Sequence, residues 1–271
     1  MDQRSSFYTE EEGKSMKVRT LYVLVLFVLA FSTTGCGKKE AGQPAAEQPA
    51  ATKTVDPATA GTVAGSVKFE GTPPKPVRIR MDADAACARL HKGPVFADEV
   101  AVGPGGALAN VVVYVKSGLD GYSFPKPTET VVLDQKGCMY RPRVIALQTG
   151  QTLEVLNSDD TTHNIHPVPN INREWNRSQP PRGEKIVESF AREEVAIAVK
   201  CNIHPWMKSY IAVVKHPYFK VTGSDGTFEL KGLPPGVYTL EAWHETLGIS
   251  TQQVTLGANE TKSVSFVFQG G

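Results

Sequence analysis

The sequence predicts an all-β protein, and three observations carry that prediction. Apolar residues gather in short β-branched runs such as Val63–Phe69, Val111–Val115 and Val195–Lys200, the composition that suits a pleated, half-buried surface. The 24 glycines and 19 prolines fall between those runs as turn punctuation. No segment sustains a helical period, so no helix is expected.

The elements follow in order. Leu21–Phe31 is an apolar core with the length of a secretion-signal h-region, too short to span a bilayer comfortably. Lys17 and Arg19 precede it and Thr33-Thr34-Gly35-Cys36 follows. A small residue ahead of a cysteine at this place resembles the lipobox of bacterial lipoproteins, with Thr33 where that motif usually carries Leu. The resemblance implies a signal segment over 1–36, a lipid anchor on Cys36, and a periplasmic or outer-membrane face. An ordinary cleaved signal peptide is the alternative. Glu10-Glu11-Glu12 suits a signal n-region poorly, which makes Met16 a second candidate start beside Met1. Residues 37–60 hold almost no large apolar side chains and are expected to be a disordered linker. Its reach would be roughly 25–30 Å.

From Gly61 onward the chain reads as strands and turns. Residues 61–118 hold two strands, at Val63–Phe69 and Val111–Val115, with Cys87–Gly106 as loop. Residues 119–216 hold strands near Val131–Leu133, Val144–Leu147, Thr152–Leu156, Val195–Lys200 and Ile211–Val214. Pro167–Gly183, rich in Pro, Asn and Arg, is expected to be a surface loop. Residues 217–271 alternate between the turns Gly223-Ser224-Asp225-Gly226 and Leu233-Pro234-Pro235-Gly236.

The chemistry concentrates in Cys201-Asn202-Ile203-His204-Pro205-Trp206-Met207. A thiolate, an imidazole and a thioether within one turn are the donors of a trigonal His₂Cys copper site with a weak axial Met. A second imidazole is available upstream in Asn157-Ser158-Asp159-Asp160-Thr161-Thr162-His163-Asn164. Zinc would accept Cys and His, but a thioether is an unusual zinc partner.

Residues from about Thr130 to Lys215 resemble a cupredoxin of the amicyanin or plastocyanin type. The residues that carry the likeness are Tyr140-x-Pro142, Thr149-Gly150-Gln151-Thr152-Leu153-Glu154-Val155, Asn157-Ser158-Asp159, His163-Asn164-Ile165-His166 and the Cys201–Met207 turn. The resemblance implies a Greek-key β-sandwich and one type 1 copper ion held by His163, Cys201, His204 and Met207. His163 is favoured over His166 because it directly precedes an Asn in that family. Asn164 would tie the two ligand loops together. His204, flanked by Pro205 and Trp206, would lie at the surface as the electron exit. The amicyanin loop has a proline where this chain has Ile203, whose N–H is then free to reach the Cys201 sulfur and to favour copper(I).

Asp225–Leu240 reads D-G-x-F-x-L-x-x-L-P-P-G-x-Y-x-L and resembles the carboxypeptidase regulatory-like domain, a small transthyretin-like β-sandwich. Gly61–Val67 and Asn110–Val115 resemble its opening strands. The resemblance implies one sandwich split by an inserted copper domain; a sequential layout is the rival.

With Cys36 lipidated and Cys201 on metal, Cys87 and Cys138 are left as a candidate disulfide. The charge balance of +1 gives no field for nucleic acid. Trp243-His244-Glu245 reads as a solvated strand end, and His91 and His216 lack ligand-spaced neighbours. No phosphate loop, Ser-His-Asp set or second copper motif occurs. The expectation is a non-enzymatic blue copper protein serving a redox partner such as a c-type cytochrome. A copper-storing or structural lipoprotein is the alternative.

Overall fold

A computed structural model describes residues 52–270. The expectations for the 1–36 signal segment, Cys36 and the first part of the linker lie outside the described residues.

The chain is nearly all β. It opens with β1 (Gly61–Glu70), then a hairpin of β2 (Arg78–Ile79) and β3 (Val95–Phe96) that encloses a short helix, α1 (Ala85–Arg89). β4 (Val112–Ser117) follows. The middle supplies β5 (Val131–Gln135), β6 (Tyr140–Arg141), β7 (Val144–Gln148), β8 (Leu153–Asn157) and β9 (His163–Val168). It continues through β10 (Arg177–Gln179), β11 (Ile186–Glu188), β12 (Glu194–Lys200) and β13 (Lys208–Val214). The last block gives β14 (Phe219–Val221), β15 (Thr227–Leu233), β16 (Gly236–His244), β17 (Gly248–Leu256) and β18 (Thr261–Gln269).

Strands from both ends of the described chain share sheets. One sheet runs β15-β1-β18 and another β14-β4-β16-β17. Their shared core includes Val63, Val67, Val113, Leu240 and Phe266. In β18 the buried Val264, Phe266 and Phe268 alternate with exposed neighbours, the period of a strand with one face on a core. Gly65 allows β1 to lie between its two partners, since a Cβ there would sit 1.7 Å from the Val264 carbonyl oxygen.

The middle block forms a second pair of sheets, β10-β9-β12-β13-β7 and β11-β8-β5-β6. Leu133, Leu147, Val155, Ile165, Val199 and Ile211 fill the space between them. β4 explains how the two cores join. Its Val113 and Val115 enter the first core, whereas Val112 and Tyr114 pack with Trp243 against Val144, Ala212 and Val214 of the second block. A strand covered on both faces reads as a continuous apolar run.

Three expectations are corrected. Residues 52–60 are docked rather than disordered: Lys53 N–H donates to Gly121 O at 2.7 Å and Asn259 N–H to Thr59 O at 3.1 Å. Backbone pairing, which composition cannot register, holds them. The expected loop at Cys87 is entered through α1, whose N-cap Asp84 accepts from the N–H groups of Ala86 and Cys87. At five residues, α1 is too short to show a hydrophobic period. Within Pro167–Gly183, β10 pairs with β9, and Gln179 is buried in a network of amides from Gln135 and Asn157. Among the described residues no helix is long and apolar enough to cross a membrane.

Candidate metal centre

His163 is the first residue of β9, and Cys201 is the residue after β12. These strands pair antiparallel, with Lys200 opposite His166, so sheet register carries the thiol to the imidazole. The turn after Cys201 closes on itself: Met207 N–H donates to His204 O at 2.9 Å and Cys201 N–H to Met207 O at 3.3 Å. One ligating atom from each of His163, Cys201 and His204 falls within 4.8 Å of the others. The two Nδ1 atoms are 2.9 Å apart, and Cys201 Sγ is 3.8 Å from His204 Nδ1. These three residues are 0 %, 3 % and 2 % exposed. Met207, which closes the turn, is fully buried in the same core.

The outer edges of both rings face carboxylates. His163 Nε2–H donates to Asp159 Oδ2 at 2.9 Å, and His204 Nε2–H donates to Asp84 Oδ2 at 3.0 Å. Assigned this way, each ring holds its carboxylate-bound proton on Nε2 and turns Nδ1 inward toward Cys201. In the metal-free protein a further proton on one Nδ1 bridges the 2.9 Å gap, where a bound cation would replace it. Asp159 in turn accepts the N–H groups of Gly137 and Cys138, each at 2.7 Å.

The electrostatics suit a bound cation. Burial pushes the Cys201 thiol up, but the His163 imidazole and backbone N–H groups, those of His204 and Ile203 among them, outweigh it and bring it down to about 6. Burial lowers His163, yet hydrogen bonding to Asp159 and to Cys201 carries it up to about 8. The hydrogen bond from His204 holds Asp84 below the usual carboxylate range. Burial raises Asp159, while the His163 hydrogen bond and the Cys138 and Gly137 N–H groups bring it net below that range. A thiolate and two inward imidazole nitrogens, dry and convergent, fit the donor set of a copper or zinc ion once the shared proton is displaced.

The remaining candidates take the following positions. Asn164 Oδ1 accepts the Asn202 N–H and its amide donates to Asn176, which links β9 to the ligand turn. His204 N–H donates to Cys201 Sγ at 3.4 Å, the Ile203 N–H also acts to lower that thiol, and the Ile203 side chain is exposed. His166 stands outside the cluster, with its Nδ1 beside Asn202 Oδ1 and its Nε2 beside Glu174. Cys87 and Cys138 form a disulfide.

Two site expectations are corrected. His204 does not present an exposed edge: Asp84 and Cys87 Sγ, 3.6 Å away, cover its Nε2 side. Trp206 lies over the same ring at 5.1 Å and donates its indole N–H to Cys138 O. Only Pro205 of the expected exit trio is fully at the surface. Trp243-His244-Glu245 is likewise not solvated, because the buried guanidinium of Arg143 bonds Glu245 in a bidentate pair across the two blocks. His216 and His91 donate to backbone carbonyls, of Val115 and Gly137.

Asp84 and Asp159 are the contacts of the candidate site to which the sequence alone assigns no role. The signal for Asp159 was its place four residues before His163. For Asp84 it was an acidic N-cap ahead of Ala85-Ala86-Cys87.

No protein-family model matches the chain, and no curated protein matches it. Solved structures similar to it include cupredoxins over about a third of its length. A purple cupredoxin from Nitrosopumilus maritimus is 20% identical, with 31% of this chain and 98% of that chain covered and a TM-score of 0.27. A copper(I) mutant of amicyanin is 20% identical over 31% of this chain and 81% of that chain, with a TM-score of 0.28. The copper-containing nitrite reductase of Thermus scotoductus SA-01 is 22% identical over 36% of this chain and 25% of that chain, with a TM-score of 0.27. Likeness of this size carries no argument about function, which rests on the residues themselves.

Proposed function

We propose that the chain is a mononuclear copper protein that carries single electrons. The observation that supports this best is the burial and convergence of His163 Nδ1, His204 Nδ1 and Cys201 Sγ from two separate loops. Met207, at the end of the same turn, takes the fourth position in this reading. Copper, when bound there, supplies a one-electron couple between its two oxidation states.

The chain's own residues supply rigidity and a chosen charge. Strand pairing fixes His163 and Cys201, and the two carboxylates fix which nitrogen of each ring turns inward. Cys201, with a pKa of about 6, is ready as a thiolate at neutral pH. The near-complete burial of the ligand side chains suits a site that exchanges electrons through its surroundings.

The exposed Ile203 and Pro205 flank the site and form the surface assigned to a redox partner such as a c-type cytochrome. A disulfide suits an exported protein in an oxidising compartment. The reading accordingly keeps the periplasmic face and the lipid anchor at Cys36.

The test is the visible and paramagnetic-resonance spectrum of protein loaded with copper(II), with Cys201→Ser beside it. An intense thiolate-to-copper band in the wild type and its loss in the variant support the reading; a colourless wild type sinks it. Reversible one-electron cycling then separates a carrier from a copper store.

A further inference from the structure

Both imidazoles of the centre are held from behind through the same covalent link. His204 Nε2–H donates to Asp84 Oδ2, and Asp84 Oδ1 accepts the backbone N–H of Cys87 at 3.0 Å. His163 Nε2–H donates to Asp159 Oδ2, which also accepts the backbone N–H of Cys138 at 2.7 Å. Cys87 and Cys138 are disulfide-bonded to one another. The contacts therefore close a ring: His204, Asp84, Cys87, Cys138, Asp159, His163, and back across the 2.9 Å gap between the two Nδ1 atoms.

We propose that the Cys87–Cys138 disulfide is a positioning clamp for both metal-binding histidines, so that tight metal binding requires it to be formed. The inference rests on the copper reading above. On the Asp84 side the case is one of anchorage. A helix of five residues is far below the length that holds itself in water. Between Asp82 and Pro94, Cys87 is the one buried residue, and it belongs to the core that holds Cys201 and Met207. Without the cross-link, α1 itself keeps no buried side chain between Met81 and the His91 bond to Gly137 O, and Asp84 leaves His204. The His204 ring is then free to rotate its inward Nδ1 away.

On the Asp159 side the disulfide fixes the Gly137-Cys138 backbone, whose two N–H groups orient the carboxylate under His163. Cys138 takes a positive φ of 51°, a conformation that an unconstrained cysteine seldom adopts. Its carbonyl also receives the Trp206 indole N–H at 3.0 Å, so the same residue seats the ring lying against His204. Opening the clamp takes two electrons and two protons from a dithiol, which becomes a disulfide as the S–S bond becomes two thiols. The device makes metal loading follow oxidative folding.

The experiment compares wild type, Cys87→Ala/Cys138→Ala, Asp84→Ala and the triple variant. Copper(I) affinity is measured by competition with a colorimetric chelator, and the metal-free histidines by ¹⁵N resonance of their imidazoles. Loss of such outer contacts typically costs 10–100-fold in affinity. A loss of that size is expected in both parental variants, the larger in the disulfide variant because it frees both rings. The triple should match the disulfide variant because Asp84 acts on His204 only through the clamped segment. In the metal-free disulfide variant, the fixed Nε2–H bonds of His163 and His204 to their carboxylates give way to averaging. Affinity within about twofold of wild type in the disulfide variant overturns the clamp, as does simple multiplication of the two losses in the triple. If the cysteine variant fails to fold, wild type folded with the disulfide, then reduced and freed of reductant without oxygen, takes its place, and unchanged affinity there overturns the clamp. A wild type that takes up no copper sinks the copper reading instead, whereas a coloured wild type with unaltered variants sinks the clamp alone.

Discussion

Asp84 Oδ2 accepts the Nε2–H of His204 at 3.0 Å although 120 positions separate the two residues. The contact turns Nδ1 of that ring toward Cys201 and covers the edge that an electron partner would otherwise meet. The ligand turn is thus completed by a segment from the opposite side of the chain's middle block, and several measurable consequences follow from the surrounding geometry.

Cys201→Ser replaces the only thiol among the assigned ligands. Copper(II) loading should then give no intense charge-transfer band, and the affinity for copper(I) should fall steeply because the soft donor is gone. Spectrophotometric titration checks both.

In the metal-free protein the Cys201 thiol should ionise with a midpoint of about 6 rather than near 9. Thiolate absorbance in the ultraviolet follows it directly. His163→Ala removes the largest favourable partner and leaves burial to dominate, so the midpoint should move upward.

His244 supplies the clearest acid-sensitive term. It is 0 % exposed, its Nδ1 accepts the N–H groups of Thr246 and Leu247, and its Nε2 has no partner. Burial, followed by the nearby Arg143 charge, lowers it from 6.5 to about 4. Between those values the unfolded chain binds more protons than the folded one. Stability is therefore full above pH 6.5 and falls as pH drops toward 4, by about 3 kcal/mol in all. His244→Gln keeps an acceptor but does not titrate, so urea unfolding at several pH values should show a flatter slope.

Glu245 pairs with Arg143, and both side chains are buried. Glu245→Gln leaves the buried guanidinium with only the carboxylates of Asp98, at 2.9 Å, and Glu99, at 3.9 Å. The expected cost is about 3 kcal/mol, read from the urea midpoint.

Gly65→Ala tests how β1 is seated. The new methyl would meet the Val264 carbonyl at 1.7 Å, so the strand must shift away from β18. A loss of about 3 kcal/mol is expected from such overpacking.

The sequence by itself determined the all-β class, through β-branched runs with turns between them, and the ligand types, through the Cys201–Met207 spacing. Those are local properties, readable because side-chain alternation and a seven-residue turn need no distant partner. Tertiary structure alone decided what surrounds them. Asp84 and His204, Arg143 and Glu245, and the two Nδ1 atoms of the site meet across gaps of tens of residues or more. No local pattern marks such pairs, since they arise from sheet register and from a loop folding back. For the same reason His204 read as exposed and is covered, while Trp243-His244-Glu245 read as solvated and is buried. Polarity along a chain reports what a residue can bond, and packing alone settles whether that bond is made to water or to another part of the protein.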